Sequence, residues 1–193
     1  RAPRPLQSSR NMPADSPSLR TADTLHADQV AYWSGEGGTM WLEREARIER
    51  GIAGLGARTI AAAAPRPGES VLDIGCGTGP TTRLLARAVA PSGSVLGLDL
   101  SAQMVAEAAH RAASEGLTNV RFAAGDASTH AFEPAATDLL FSRFGVMFFG
   151  DPPAAFAHLR RALKPGGRLT FLCWRPFKEN GWAFVPFMAA VPL

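Results

Sequence analysis

Three aspartates, each closing or just following a short apolar run, are the side chains best placed to do chemistry on a ligand: Asp73 in SVLDI, Asp99 in VLGLD and Asp126 after VRFAAG. Asp73 leads into Gly75-Cys76-Gly77-Thr78-Gly79-Pro80. A glycine-rich turn between a strand and a helix lets a ligand lie close to the backbone, because no Cβ intervenes. Pro80 suits the first turn of the helix, whose free N–H groups and partial positive charge favour an anionic group. A dinucleotide-binding turn would place its third glycine at position 80, but the glycines here fall at 75, 77 and 79. Asp73, two positions before the first glycine, would repel a pyrophosphate and attract an ammonium.

The other reactive residue types offer less. Cys76 lies in the glycine turn with no thiolate-stabilising neighbour, and Cys173 reads as a strand residue. The two cysteines lack metal-ligand spacing, so no metal site is expected. His26, His110, His130 and His158 are scattered, and a lone histidine is more often structural or solvated than catalytic. Of the four, His26 stands out because it precedes Tyr32-Trp33-Ser34-Gly35. Trp33 and Trp41 flank Gly35, Gly37 and Gly38, either as part of a lid or as anchors for a helix. Arg143 interrupts an apolar run, and a charge there must find a partner or water. It either faces the mouth of a site or pairs with a carboxylate on a neighbouring helix.

Short apolar runs at 70–74, 94–98, 119–124, 137–142 and 168–174 predict strands, with helices at about 79–90, 101–115 and 152–163 between them. Ser101 has the character of an N-cap, with Met104 on the first turn after it. Alternation of this kind predicts an α/β fold, a Rossmann-like parallel sheet with helices on both faces. Upstream, Trp41, Ile48, Ile52 and Leu55 fall on one face of a helix predicted over 39–64, with Glu43, Glu45 and Glu49 among the charged residues elsewhere on it. Pro65-Arg66-Pro67-Gly68 ends it. Regular structure is predicted from near Gln29. The expected organisation is a disordered leader at 1–24, a lid and helix at 25–68, and a ligand-binding domain at 69–193.

The 193 residues are 46% hydrophobic and 19% charged, as in a soluble globular chain. The pI of 9.4 reflects a net charge of +3, of which +2 sits in residues 1–24. The nearly neutral remainder has no Lys/Arg run, which argues against a nucleic-acid partner. No apolar run has the length of a membrane span and no signal peptide is evident, so no membrane partner and a cytoplasmic location are expected.

S-adenosyl-L-methionine (SAM) carries an ammonium, one carboxylate and a sulfonium, and no phosphate, which matches the charge pattern of the glycine turn better than NAD does. VLDIGCGTG resembles the first motif of class I SAM-dependent methyltransferases. Other segments follow in the family's order. Asp99 looks like the acidic residue that holds the two ribose hydroxyls, and Gly125-Asp126-Ala127 is similar to the motif that contacts adenine. Leu139 to Phe149 resembles the fourth strand and the loop beside the methyl group, and Lys164-Pro165-Gly166-Gly167 resembles the turn into the fifth strand. The likeness spans about residues 30–193 and lies nearest to bacterial small-molecule enzymes of the ubiquinone/menaquinone-biosynthesis type.

The resemblance implies transfer of a methyl group to a small-molecule acceptor by direct displacement. It implies cofactor contacts at Asp73, Gly75, Cys76, Gly77, Asp99, Leu100, Met104, Asp126, Ala127, Ser142 and Trp33, and it singles out no catalytic residue. Two rival readings are an NAD(P)-dependent oxidoreductase, disfavoured by the glycine spacing, and a non-catalytic binding or scaffold module on the same fold. Members of the family usually follow the fifth strand with a helix and two further strands, whereas about twenty strongly apolar residues remain here after Trp174. The expectation is a domain truncated at its C-terminus. Its fifth strand then forms an exposed edge, covered either by a continuation of the chain or by self-association.

Overall fold

The computed structural model describes residues 21–191. Five strands form one parallel sheet: β1 (Ser70–Ile74), β2 (Ser94–Asp99), β3 (Val120–Ala124), β4 (Thr137–Arg143) and β5 (Leu163–Leu172), in the order β3-β2-β1-β4-β5. Six helices accompany them: α1 (Ala22–Ser34), α2 (Glu36–Ala63), α3 (Pro80–Val89), α4 (Ala102–Ser114), α5 (Pro152–Arg160) and α6 (Gly181–Ala190). The α/β alternation expected from the sequence is present. The strand order reverses between β1 and β4, the place where a doubly wound sheet opens a crevice beyond its strand ends.

Side chains along a strand alternate between faces, and the core divides accordingly. Val71, Val95, Leu139 and Phe141 pack on one face with Leu85 and Val89 of α3. Leu72, Ile74, Leu98 and Leu140 pack on the other with Leu159 of α5. These strands are apolar on both faces because both are covered.

Helix ends follow local chemistry. Gly79, in the left-handed region, precedes Pro80 at the start of α3. Ser101 Oγ accepts from the Met104 N–H, and Asp151 caps α5 through the Ala154 N–H at 3.0 Å. At the other end of α2, Arg168 of β5 donates to the Ala63 and Ala64 carbonyls, both at 2.9 Å, and forks onto Glu69. Positive charge on the last carbonyls ties the long helix to the sheet.

Two boundaries and one connection differ from expectation. Helical structure begins at Ala22 rather than near Gln29, so Thr21–Thr24 form the cap and first turn of α1, while the rest of the predicted leader lies outside the described residues. The signal was Thr21, whose side chain accepts from the Thr24 N–H, with Asp23 in the first turn. Gly145–Phe148 forms a 3-10 turn after β4. β5 starts at Leu163, paired with Thr137, and Lys164–Gly167 loops out before pairing resumes at Arg168–Leu139. Among the described residues β5 pairs only with β4, and Leu169 and Phe171 are 40% and 47% exposed. No described helix is long and apolar enough to cross a membrane.

Candidate functional site

A cavity of about 800 Å³ opens at the carboxyl ends of β1, β2 and β4, roofed by α1 and α2. Its polar side is built by the glycine turn. Gly75 and Gly77 have φ of +67° and +55°, so the backbone bends where a side chain would be strained. Their reasons differ. A Cβ on Gly75 would lie 2.5 Å from Gly145 Cα, so Gly75 permits the turn after β4 to pack on it. A Cβ on Gly77 would meet nothing nearer than Met104 Sδ at 4.0 Å, so that backbone faces open cavity.

Asp99, at the end of β2, lines the cavity with its carboxylate locked. Oδ2 accepts from the Gly77 N–H at 2.8 Å and Oδ1 from the Ser101 N–H at 2.9 Å. Burial pushes its pKa up, and the N–H donors from Ser101 and Gly77 pull against that. A carboxylate fixed in this way keeps lone pairs free for hydroxyl donors in the cavity. Asp126 also lines it. Its Oδ1 accepts from the Ser128 N–H at 2.8 Å, and its Oδ2 lies 2.8 Å from His26 Nε2 of α1. Burial raises the Asp126 pKa, but the Ser128 donors and His26 outweigh it and hold the carboxyl below the ordinary value.

Of the other residues singled out in the sequence, Cys76, Leu100, Met104, Ala127 and Trp33 also line the cavity. Burial drives the Cys76 thiol well above its ordinary pKa, so the thiol stays neutral. Asp73 and Ser142 are not on the wall. Asp73 is completely buried, and strand alternation turns its side chain to the α3 face, where Oδ2 accepts from Thr81 at 3.0 Å and Thr82 at 2.7 Å. Oδ1 is the buried side-chain atom that lacks a partner among the described residues. Desolvation raises the Asp73 pKa to about 6 against those two donors. Ser142, also buried, donates to the Ile74 carbonyl at 2.7 Å and accepts from the Val146 N–H, which shapes the turn after β4.

The second side of the cavity is apolar. Trp41, Ile48, Ile52 and Leu55, read from the sequence as one face of a helix, form its wall. Phe144 stacks on Trp174 with centroids 4.5 Å apart, and Trp174 meets Trp182 at 5.1 Å. Trp33 packs edge-on against Trp41 and Phe148. The sequence stripe carries no mark that separates a cavity wall from a dry core.

Two carboxylates on α2, read from the sequence only as charges off its apolar face, hold the roof down. Glu45 is 7% exposed and accepts from Arg111 of α4 at 2.7 Å and from Thr78 in the glycine turn. Glu49, one turn on, forks onto Arg143 at 2.8 and 2.9 Å. Arg143 thus both pairs with a helix carboxylate and lines the cavity. The spacing of four puts Glu45 and Glu49 on one face of the helix, but nothing local in the sequence names their partners.

Comparison with known proteins agrees with this geometry. The methyltransferase domain family matches residues 71–167, half of the chain. Aklanonic acid methyltransferase DauC of a Streptomyces species is 34% identical over 132 residues, covering 68% of this chain and 60% of that protein. The SAM complex of phosphoethanolamine N-methyltransferase 2 from Haemonchus contortus superposes with a TM-score of 0.59 at 30% identity, covering 70% of this chain and 32% of that one. The [4+2]-cyclase SpnF superposes with a TM-score of 0.56 at 30% identity, over 61% and 43% of the two chains. The chain spans 30–60% of the length of the first curated relatives it matches. With a domain match over half its length and the 3-2-1-4-5 sheet beneath the glycine turn, the chain belongs to the class I SAM-dependent methyltransferase family.

Proposed function

We propose that the chain binds SAM along the polar side of the cavity and transfers its methyl group to a small-molecule acceptor held on the apolar side. The observation that carries this reading is the Asp99 carboxylate, fixed by the Gly77 and Ser101 N–H groups beside an open stretch of glycine backbone. Asp99 would accept from the ribose hydroxyls, Met104 and Ala127 would flank the adenine, and Asp126 would accept from its exocyclic amine. The Gly75–Gly77 backbone would lie along the amino-acid portion. Asp73 would act from behind the turn, its unpartnered oxygen favouring a cationic group nearby. Bound SAM supplies an activated methyl on a sulfonium, so what remains to the protein is orientation and exclusion of water. The apolar wall and the α2 roof, pinned by Glu45 and Glu49, serve both. The free cysteines suit a reducing compartment such as the cytoplasm.

A second reading, a module of the same fold that does not transfer methyl groups, is favoured by the likeness to SpnF, a [4+2]-cyclase. Incubation with methyl-labelled SAM and a metabolite extract separates the two. Label in a small-molecule product is expected. SAM binding with no labelled product across extracts would favour the second reading.

A further inference from the structure

The apolar side of the cavity contains one charged side chain to which cofactor binding gives no task. Arg143 closes β4, lines the cavity and has a side chain only 8% exposed. Glu49 takes one N–H from each of its terminal nitrogens. A guanidinium has five N–H donors and no acceptor, so three remain, with no other partner among the described residues. The Glu49 fork offsets part of the charge and fixes the plane of the guanidinium, so the donors that remain are directional. Beside it runs the ring row Phe144, Trp174 and Trp182, with Phe144 stacked on Trp174 at an interplanar angle of 16°.

These features select for both shape and atom type. A row of rings along the cavity wall favours a flat apolar body. Donors with no acceptor among them favour an oxygen with lone pairs and disfavour an amine, whose own N–H groups would meet other donors. We propose that Arg143 is the specificity-determining residue for the methyl acceptor, and that this acceptor is a flat, ring-bearing apolar molecule presenting an acidic oxygen rather than an amine. The inference rests on the methyl-transfer reading above. The acceptor O–H gives its proton to bulk water as the acceptor enters the cavity, and the Arg143 N–H groups hold the resulting oxyanion. An oxygen lone pair then forms the O–CH3 bond while the S–CH3 bond of SAM breaks. That electron pair stays on sulfur, leaving S-adenosylhomocysteine and a methylated oxygen.

1-Naphthol and 1-naphthylamine are suitable probes, titrated into the 193-residue chain saturated with S-adenosylhomocysteine and followed by quenching of tryptophan fluorescence. Naphthol is expected to bind at least about tenfold more tightly than the amine, the discrimination of one well-placed hydrogen bond. The pKa of bound naphthol, read from naphtholate absorbance, is expected to fall by about one unit beside the guanidinium. Arg143→Met should abolish that fall, and Arg143→Lys, which keeps the charge but loses the fork, should weaken the preference for naphthol. Equal binding of the two probes, or no naphthol binding by a chain that still takes up S-adenosylhomocysteine, would overturn the inference alone. An Arg143→Met variant that keeps the lowered probe pKa would do the same. Failure of the chain to bind S-adenosylhomocysteine by calorimetry would overturn the cofactor reading and the inference with it.

Discussion

His26 Nε2 of α1 lies 2.8 Å from Asp126 Oδ2 in the loop after β3. No residue of α1 is buried, so the helix rests on the site through a few contacts, of which this pair and the Trp33–Phe148 packing are two. The bond therefore works as a latch across the mouth of the cavity. His26→Ala should raise hydrogen exchange of the α1 amides by about tenfold, the loss of one charge-assisted bond, and leave β1 and β4 protected. Unchanged exchange in α1 would show that the latch contributes nothing.

Asp73 gives the fold a pH dependence that can be measured. Its folded carboxyl ionises near pH 6, against an ordinary value of 3.8. The carboxyl is fully accommodated while protonated, below pH 3.8, and that advantage drains away as pH rises towards 6. Above pH 6 the buried charge costs about 3 kcal/mol, at about 1.4 kcal/mol for each unit of displacement. The stability of Asp73→Asn relative to the parent should therefore rise by about that amount between pH 3.5 and pH 8 in the ligand-free protein. A difference independent of pH, in urea unfolding at both values, would contradict the assignment. The same variant should bind SAM more weakly, because a stabilised ligand-free site has lost its attraction for a cation.

The strands, the glycine turn and the Ser101 cap were legible because each is written in consecutive residues. Period-two apolar runs make the strands, and glycines followed by Pro80 make the turn. The place of Asp99 was legible for the same reason, at a strand end two residues before a cap. The direction of the Asp73 side chain was not legible, because its distance from the glycines shows proximity, whereas strand parity turns it to the α3 face. The roof was illegible for a different reason. Glu45, Glu49 and His26 find their partners 66, 94 and 100 residues away, at Arg111, Arg143 and Asp126, and no local pattern announces a pairing across the sheet. Arg143 was recognised as a charge in need of a partner, but only the fold supplies Glu49.

The two glycines of the turn should part company on substitution. Gly77→Ala strains a left-handed residue by about 1–2 kcal/mol and puts a methyl group into the cavity. The variant should fold by circular dichroism and lose at least about tenfold in SAM affinity. Gly75→Ala brings a methyl group to 2.5 Å from Gly145 Cα and should fail mainly in thermal stability. Full SAM affinity in folded Gly77→Ala would remove the turn from the site.

Glu45 joins the roof to the glycine turn and to α4. Burial pushes its pKa up, but the bonds from Arg111 and Thr78 prevail and hold it below the ordinary value. Its contribution is thus present above about pH 4.5 and fades as the pH falls through the lower folded value. Glu45→Ala should cost about 2 kcal/mol at pH 7, the worth of a hydrogen-bonded charge. The loss should shrink in acid, as urea unfolding at pH 7 and pH 3 would show. An equal loss at both values would mean that packing alone is responsible.

The central claim is that the cavity is built for SAM, with Asp99 as its ribose anchor. The most direct measurement is calorimetric titration of the parent chain and of Asp99→Ala with S-adenosylhomocysteine, and of the parent with NAD. The expected result is saturable binding of S-adenosylhomocysteine, weakened by about 1–3 kcal/mol in Asp99→Ala as charge-assisted hydrogen bonds to the ribose are lost, and no binding of NAD. Binding of NAD, or an unchanged affinity for S-adenosylhomocysteine in a folded Asp99→Ala variant, would contradict it.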